Sequence, residues 1–260
     1  MPKNATRLVA AAVMLLAGLT AGAAGAAEVK VVSAGAMRAA LEELAPAFEK
    51  ASGNKLKIEY ATAGKVEEKV AADEEIDVAI LTKPRADKLV RTAKLVGGTT
   101  TTLARVPIAL AVKKGAAKPD IGTVEAFKKA LLGAKSIAYN DPASGATSGI
   151  HMAQVLDKLG IAAELKPKIH LGAQTAGKGV GDLVAHGDAV IGISPVSELM
   201  GVGGIDVVGP LPAELQSPDL VFIAASPMIS ERPLPAKALI DFLSTPAAKA
   251  VYKAKGMEPG

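Results

Sequence analysis

From Glu28 onward, apolar positions follow two alternating rhythms. Short runs rich in β-branched residues, such as EVKVV, KLKIEY and IDVAIL, have the length and content of strands. Between them, apolar residues recur at helical spacing. Met37, Leu41, Leu44 and Phe48 do so through MRAALEELAPAFEKASG, where Gly53 is placed to stop the helix. KVEEKVAA follows KLKIEY in the same way. Further pairs follow: RVPIALAVKK with VEAFKKALL, SIAYN with GIHMAQVLDKLG, KIHLG with VGDLVAHG, and then AVIGIS. This rhythm predicts an α/β fold whose sheets are mostly parallel and flanked by helices.

The length allows one large domain or two small ones. RVPIALAVKK reads as one long strand, and DLVFIAAS has the same continuous apolar character. The tail, PLPAKALIDFLSTPAAKAVYKAKGMEP, reads as two short helices split at Ser244-Thr245-Pro246, with Thr245 placed as a cap before proline. It has no strand partner of its own, so it must pack on an earlier sheet. The simplest arrangement is two lobes joined by two crossings, the first made of 28–107 with 223–260 and the second of 108–222. A ligand would lie in the crevice between them, at the carboxyl ends of the strands.

The first 27 residues stand outside that pattern. Lys3 and Arg7 precede an apolar run from Leu8 to Leu19 and a small-residue stretch, AGAAGAA. This is the arrangement of a secretory signal peptide, cleaved after Ala26 or Ala27, and it predicts a periplasmic protein. Losing Lys3 and Arg7 takes the basic count from 30 to 28 against 26 acidic residues, which leaves a nearly neutral +2. No basic run of five or more remains, which argues against nucleic acid or an anionic membrane surface as partner. Cysteine is absent, so there is neither a disulfide nor a thiol nucleophile. Tryptophan is absent too, which argues against a site built on stacked rings.

Four turns carry the candidate chemistry. VSAGAMR at 32–38, ATAGKVE at 61–67, DPASGATSGIH at 141–151 and AQTAGKGVGD at 173–182 each follow a strand, contain glycine with alanine, serine or threonine, and open a helix. Helix N-termini offer free N–H groups and a partial positive charge, and small side chains let a ligand approach them. The candidate binding residues are therefore Gly35, Ala36, Met37, Thr62, Ala63, Gly64, Lys65, Ser144, Thr147, Ser148 and Thr175. Gly145 and Gly149 are expected to leave room for the ligand. Ordinary capping explains any one such turn equally well. Lys65 stands at a helix start, where a cation is unfavourable for the helix alone, so a ligand carboxylate is one reason for it to be there.

Other chemistries find little support. His186 ends a helix, where a cation is favourable, and His170 lies on a strand. His151, directly after SGATSG, is the histidine placed for proton transfer. No His/Asp/Glu cluster has metal spacing, and no P-loop, dinucleotide fingerprint or G-x-S-x-G elbow is present. No cofactor is expected.

Taken together, the leader, VVSAGAMRAALEELAPAFEKASG, IDVAIL, DPASGATSGIHMAQVLDKLGI and DFLSTPAAKAVYKAKG resemble the periplasmic molybdate-binding type of solute-binding protein. The resemblance covers essentially all of the chain beyond the leader. It implies a two-lobed type II binding-protein fold, a monomer, and capture of a solute for the membrane subunits of an ABC importer. The ligand residues of that family point here to Ala36 where it places serine, to Thr62-Ala63-Gly64-Lys65 where its turn is serine-rich, and to Ser194-Pro195-Val196 where it carries a tyrosine. These departures suit an organic di- or tricarboxylate better than molybdate. GIDVVGPLPAELQ is similar to a subgroup that also includes a periplasmic aconitate isomerase. An isomerase with Lys65 or His151 as its acid or base is therefore the alternative to a pure binder.

Overall fold

The computed structural model describes residues 26–173 and 178–260. Its chain runs β1 (Glu28–Ala34), α1 (Arg38–Ser52), β2 (Lys55–Ala61), α2 (Ala63–Ala71), β3 (Val78–Thr82), α3 (Lys83–Arg91) and β4 (Thr101–Arg105). There follow β5 (Ile108–Lys113), α4 (Val124–Gly133), β6 (Ile137–Asn140), α5 (Thr147–Lys158), α6 (Ala162–Leu165), β7 (Ile169–Gly172), α7 (Val180–His186), β8 (Ile191–Pro195), α8 (Val196–Leu199) and β9 (Ile205–Pro210). The chain closes with β10 (Val221–Ala225), α9 (Pro233–Leu243), α10 (Pro246–Ala254) and β11 (Glu258–Pro259).

Two sheets result. The first has the order β11-β4-β10-β3-β1-β2 and the second β7-β6-β8-β5-β9. Within the βαβ units the strands are parallel: β2, β1 and β3 in one lobe, β7, β6 and β8 in the other. The crossing strands are antiparallel. β10 runs against both β3 and β4, and β5 against both β8 and β9. Each sheet is therefore mixed, because a chain that leaves a lobe and returns to it enters from the opposite end.

RVPIALAVKK is not one strand. Val106 and Pro107 separate β4 from β5, and these two strands belong to different sheets. Proline has no N–H to give a ladder, which suits the point where the chain changes sheet. The return begins at β10, so Val221 and Phe222 lie with the first sheet.

Helix ends follow local chemistry. Gly53 closes α1 in the left-handed region at φ 72°, where glycine has no steric penalty. Thr245 caps α10 by accepting the amide of Ala248, with Pro246 at the first helical position. That tail packs on the first lobe. Lys255 pairs with Glu43 of α1, and β11 extends the first sheet beside β4.

One apolar cluster runs through both lobes. Val31, Ile80, Leu41 and Phe48 belong to it on one side, and Leu110, Ile137, Phe127 and Met152 on the other. Leu103, Val106, Ile108, Leu220 and Phe222 join the halves along the crossings. No helix among the described residues is long and apolar enough to cross a membrane.

Candidate ligand cleft

Between the lobes, the carboxyl ends of β1, β6 and β8 face the first turns of α2 and α5. The loops meet there. Thr62 Oγ1 donates to the carbonyl of Ser144 at 2.6 Å, and the Gly64 amide donates to the carbonyl of Gly145 at 3.1 Å. The contact depends on two glycines. A Cβ on Gly64 would stand 2.9 Å from Gly145 Cα, closer than side chains pack. Gly145 itself takes φ 79°, which favours glycine.

Beside this contact lies a cavity of about 30 Å³, room for one or two waters. Gly35, Ala36, Thr62, Ala63, Asn140, Ser144, Thr147, Ser148, Pro195 and Glu198 line it, with Leu220 and Phe222 on one wall. It is the narrow waist of a longer groove. A cavity of about 320 Å³ adjoins it through Gly35 and Glu198, and another of about 200 Å³ through Thr147.

The base of the waist is a buried polar network. Asn140 ends β6 and is 4% exposed. Its Nδ2 reaches Ser148 Oγ at 2.9 Å, Ser194 Oγ at 3.1 Å and Glu198 Oε2 at 3.0 Å. Ser194 Oγ donates to the same Glu198 oxygen at 2.6 Å. Among the described residues three buried side-chain oxygens have no hydrogen-bond partner, and two of them, Asn140 Oδ1 and Thr147 Oγ1, belong to residues lining this cavity. Buried polar atoms are ordinarily paired, so each of these two leaves a hydrogen-bonding position for water or a ligand. Ala146, at the N-cap of α5, supplies no side-chain acceptor to the first-turn amides of that helix.

Serine and threonine in DPASGATSG are thus divided among tasks. Ser144 closes its own turn by donating to Asp141 O at 2.7 Å, Ser148 joins the network, and Thr147 faces the cavity. The glycines serve the backbone rather than the ligand. A Cβ on Gly149 would stand 2.1 Å from the carbonyl oxygen of Asn140, so α5 can start against the end of β6 only with glycine there.

The remaining candidates are spread out. Met37 is wholly buried in the apolar core. Gly64 is taken up by the contact between the loops. Lys65 is exposed, and its ammonium lies 2.5 Å from Glu68 on its own helix, one turn along. Ser194 stands behind Asn140 and Glu198. Thr175 lies outside the described residues. His151 lines the cavity on the Thr147 side, where its Nε2 lies 2.8 Å from the carbonyl oxygen of Leu215.

Among the described residues, none lining the waist carries positive charge. Cations stand at the rims. Arg38 lies 4.2 Å over the ring of Tyr60, whose hydroxyl is pushed up to about 12 by burial first and then by Glu42. On the other side Arg85 and Lys88 both bond Glu67 of α2, and Arg85 also approaches the carbonyl of Gly145 at 3.5 Å. Burial pushes the Glu67 carboxyl up, but the hydrogen bonds from Lys88 and Arg85 outweigh it and hold the group below its usual range. Sequence reasoning missed Asn140 and Glu198. The available signal was position: one ends a strand directly before the candidate turn, and the other opens a helix directly after β8.

Relatives share this architecture. An aconitate isomerase of a Pseudomonas species is 33% identical over 88% of this chain and 87% of its own length. The molybdate-binding protein ModA of Azotobacter vinelandii is 31% identical over 94% of this chain and 95% of its own. A solved structure of a periplasmic molybdate-binding protein from Azotobacter vinelandii superposes with a TM-score of 0.73 at 24% identity, covering 88% of this chain and 98% of that one. A family model described as bacterial extracellular solute-binding protein matches residues 29–258. With two mixed sheets, a cleft at their carboxyl ends and that match across residues 29–258, the protein belongs to the bacterial extracellular solute-binding proteins.

Proposed function

We propose that the protein is exported by its N-terminal leader and captures a small organic acid between its lobes, for delivery to the membrane subunits of an ABC importer. The observation that carries this reading is the mixed lining of the waist. Thr147 Oγ1 and the uncapped first turn of α5 offer donors to a carboxylate. Ala36, Ala63, Pro195, Leu220 and Phe222 offer apolar walls to a carbon skeleton. A tetrahedral oxyanion would need donors on every side, and the Glu198 carboxylate would oppose it. The groove on either side gives room for several carbons once the loop contact parts. A thermal-shift panel of di- and tricarboxylates, molybdate, sulfate and phosphate tests this. Stabilisation by a carboxylic acid supports the reading, and stabilisation by molybdate alone defeats it.

A second reading, an isomerase on the same scaffold, is favoured by Glu198, a positioned carboxylate in the cleft wall. Glu198 would take a proton from a carbon next to one carboxylate of an unsaturated polycarboxylate. The carboxyl group, after exchange with solvent, would return a proton at the far carbon of the allylic system, moving the double bond without net oxidation. Lys65 does not line the waist, and His151 lines the adjoining cavity, so Glu198 is the better placed base. NMR in D2O, following deuterium entry and double-bond position in an unsaturated tricarboxylate, separates an isomerase from a binder.

A further inference from the structure

The geometry points to a ligand that carries a hydroxyl group beside its carboxylate: the cleft selects hydroxy acids over the same acids without the hydroxyl. This rests on the organic-acid reading above and specifies it. A cleft built only for carboxylates needs donors. This one also holds two acceptors at the base of its waist. Asn140 Oδ1 is buried and has no protein partner, while Asn140 Nδ2 is committed to Ser148, Ser194 and Glu198. The amide therefore cannot turn over without setting its oxygen against the Glu198 carboxylate. Glu198 is the second acceptor. Its Oε2 takes hydrogen bonds from Ser194 and Asn140, and the residue lines both the waist and the adjoining cavity.

A carboxylate arriving here meets like charge and an unpaired carbonyl oxygen. A hydroxyl adds no like charge, donates to one of these acceptors and can accept from Thr147 Oγ1, the unpartnered donor of a residue that lines the same cavity. Water can fill these roles in the free protein, and a hydroxyl displaces it while replacing its hydrogen bonds. An ammonium group fits less well, because it offers three donors and no acceptor to Thr147.

Two matched pairs of probes isolate the group: citrate against tricarballylate, and malate against succinate. Calorimetric titration of the protein should show each hydroxy acid binding at least about tenfold more tightly than its partner, the scale of a hydrogen bond to a charged group. Glu198→Gln keeps the shape and removes the charge. It should reduce the preference to about threefold or less, with part of the change coming from tighter binding of the acid that lacks the hydroxyl. Equal affinity within both pairs overturns the inference, as does a preference unchanged in Glu198→Gln. Tighter binding of trans-aconitate than of citrate overturns it too, in favour of the isomerase reading. If none of these acids binds while molybdate or sulfate does, the organic-acid reading falls and this inference with it. The wild-type pairs decide the question even if the variant fails to fold.

Discussion

On the proposed reading, Thr147 serves binding at a small cost in stability. Its hydroxyl is buried at the start of α5 with no protein partner, so folding desolvates it without recompense. Thr147→Val should therefore melt at the same temperature as the parent or higher. Ligand affinity should fall by about 0.5–1.5 kcal/mol, the value of one neutral hydrogen bond. Melting curves and calorimetry on the same preparation test the opposite signs. Lys65 makes the contrasting case, since its ammonium is occupied by Glu68 and it lies exposed. Both residues stand at helix starts after strands, so by chain position alone both are candidates to meet a ligand. Chain position could not say where each side chain points. That depends on a partner one turn along α2 for Lys65 and on the cavity that strand ends and loops enclose for Thr147. Asn140 and Glu198 were illegible for a related reason: they are 58 positions apart and meet only because β6 and β8 are neighbours.

Among elements, the first turns of α2 and α5 decide how closely the lobes meet. Gly64→Ala adds a good helix former within α2, so the lobe should hold its stability or gain about 0.5–1 kcal/mol. Its Cβ would stand 2.9 Å from Gly145 Cα, so the lobes could not close to this distance. If closure at this contact contributes to binding, ligand affinity should drop by about tenfold or more, roughly 1.4 kcal/mol, while the melting temperature stays up. Binding at parental affinity would show that this contact has no part in capture. The Glu67 cluster acts on one of these elements, tying α2 to α3 through Arg85 and Lys88. Its folded-state pKa lies below the ordinary 4.5, so its stabilisation is complete above that value and is lost as pH falls through the folded pKa. Glu67→Gln should cost roughly 1–3 kcal/mol at neutral pH, less than a fully buried pair because Lys88 is largely exposed. The gap should narrow in acid, and denaturant unfolding at both pH values checks it. Periodicity made the helices and the parallel strands readable, and Thr245 with Pro246 marked the start of α10. It did not reveal the break at Val106–Pro107, because an apolar run that passes from one core directly into another has no polar interruption.

At the scale of the whole molecule, two lobes share one apolar core along the crossings and leave a groove with cations at its rims and none at its waist. That charge pattern separates this chain's chemistry from its architecture. The fold is one it has in common with molybdate-binding relatives, while the waist combines neutral donors, apolar walls and a carboxylate. Chain order alone foretold the fold, through the βαβ rhythm and the returning tail. The ligand is set by contacts between residues far apart in sequence, which no local pattern encodes. The most direct test is calorimetric titration of the protein with citrate, malate and molybdate under the same conditions. A carboxylic acid should bind at least about a hundredfold more tightly than molybdate, because Ala36 and Pro195 have no hydroxyl to donate and each missing charge-assisted hydrogen bond costs about 1.5–3 kcal/mol. Submicromolar molybdate binding, with neither acid bound, would contradict the account.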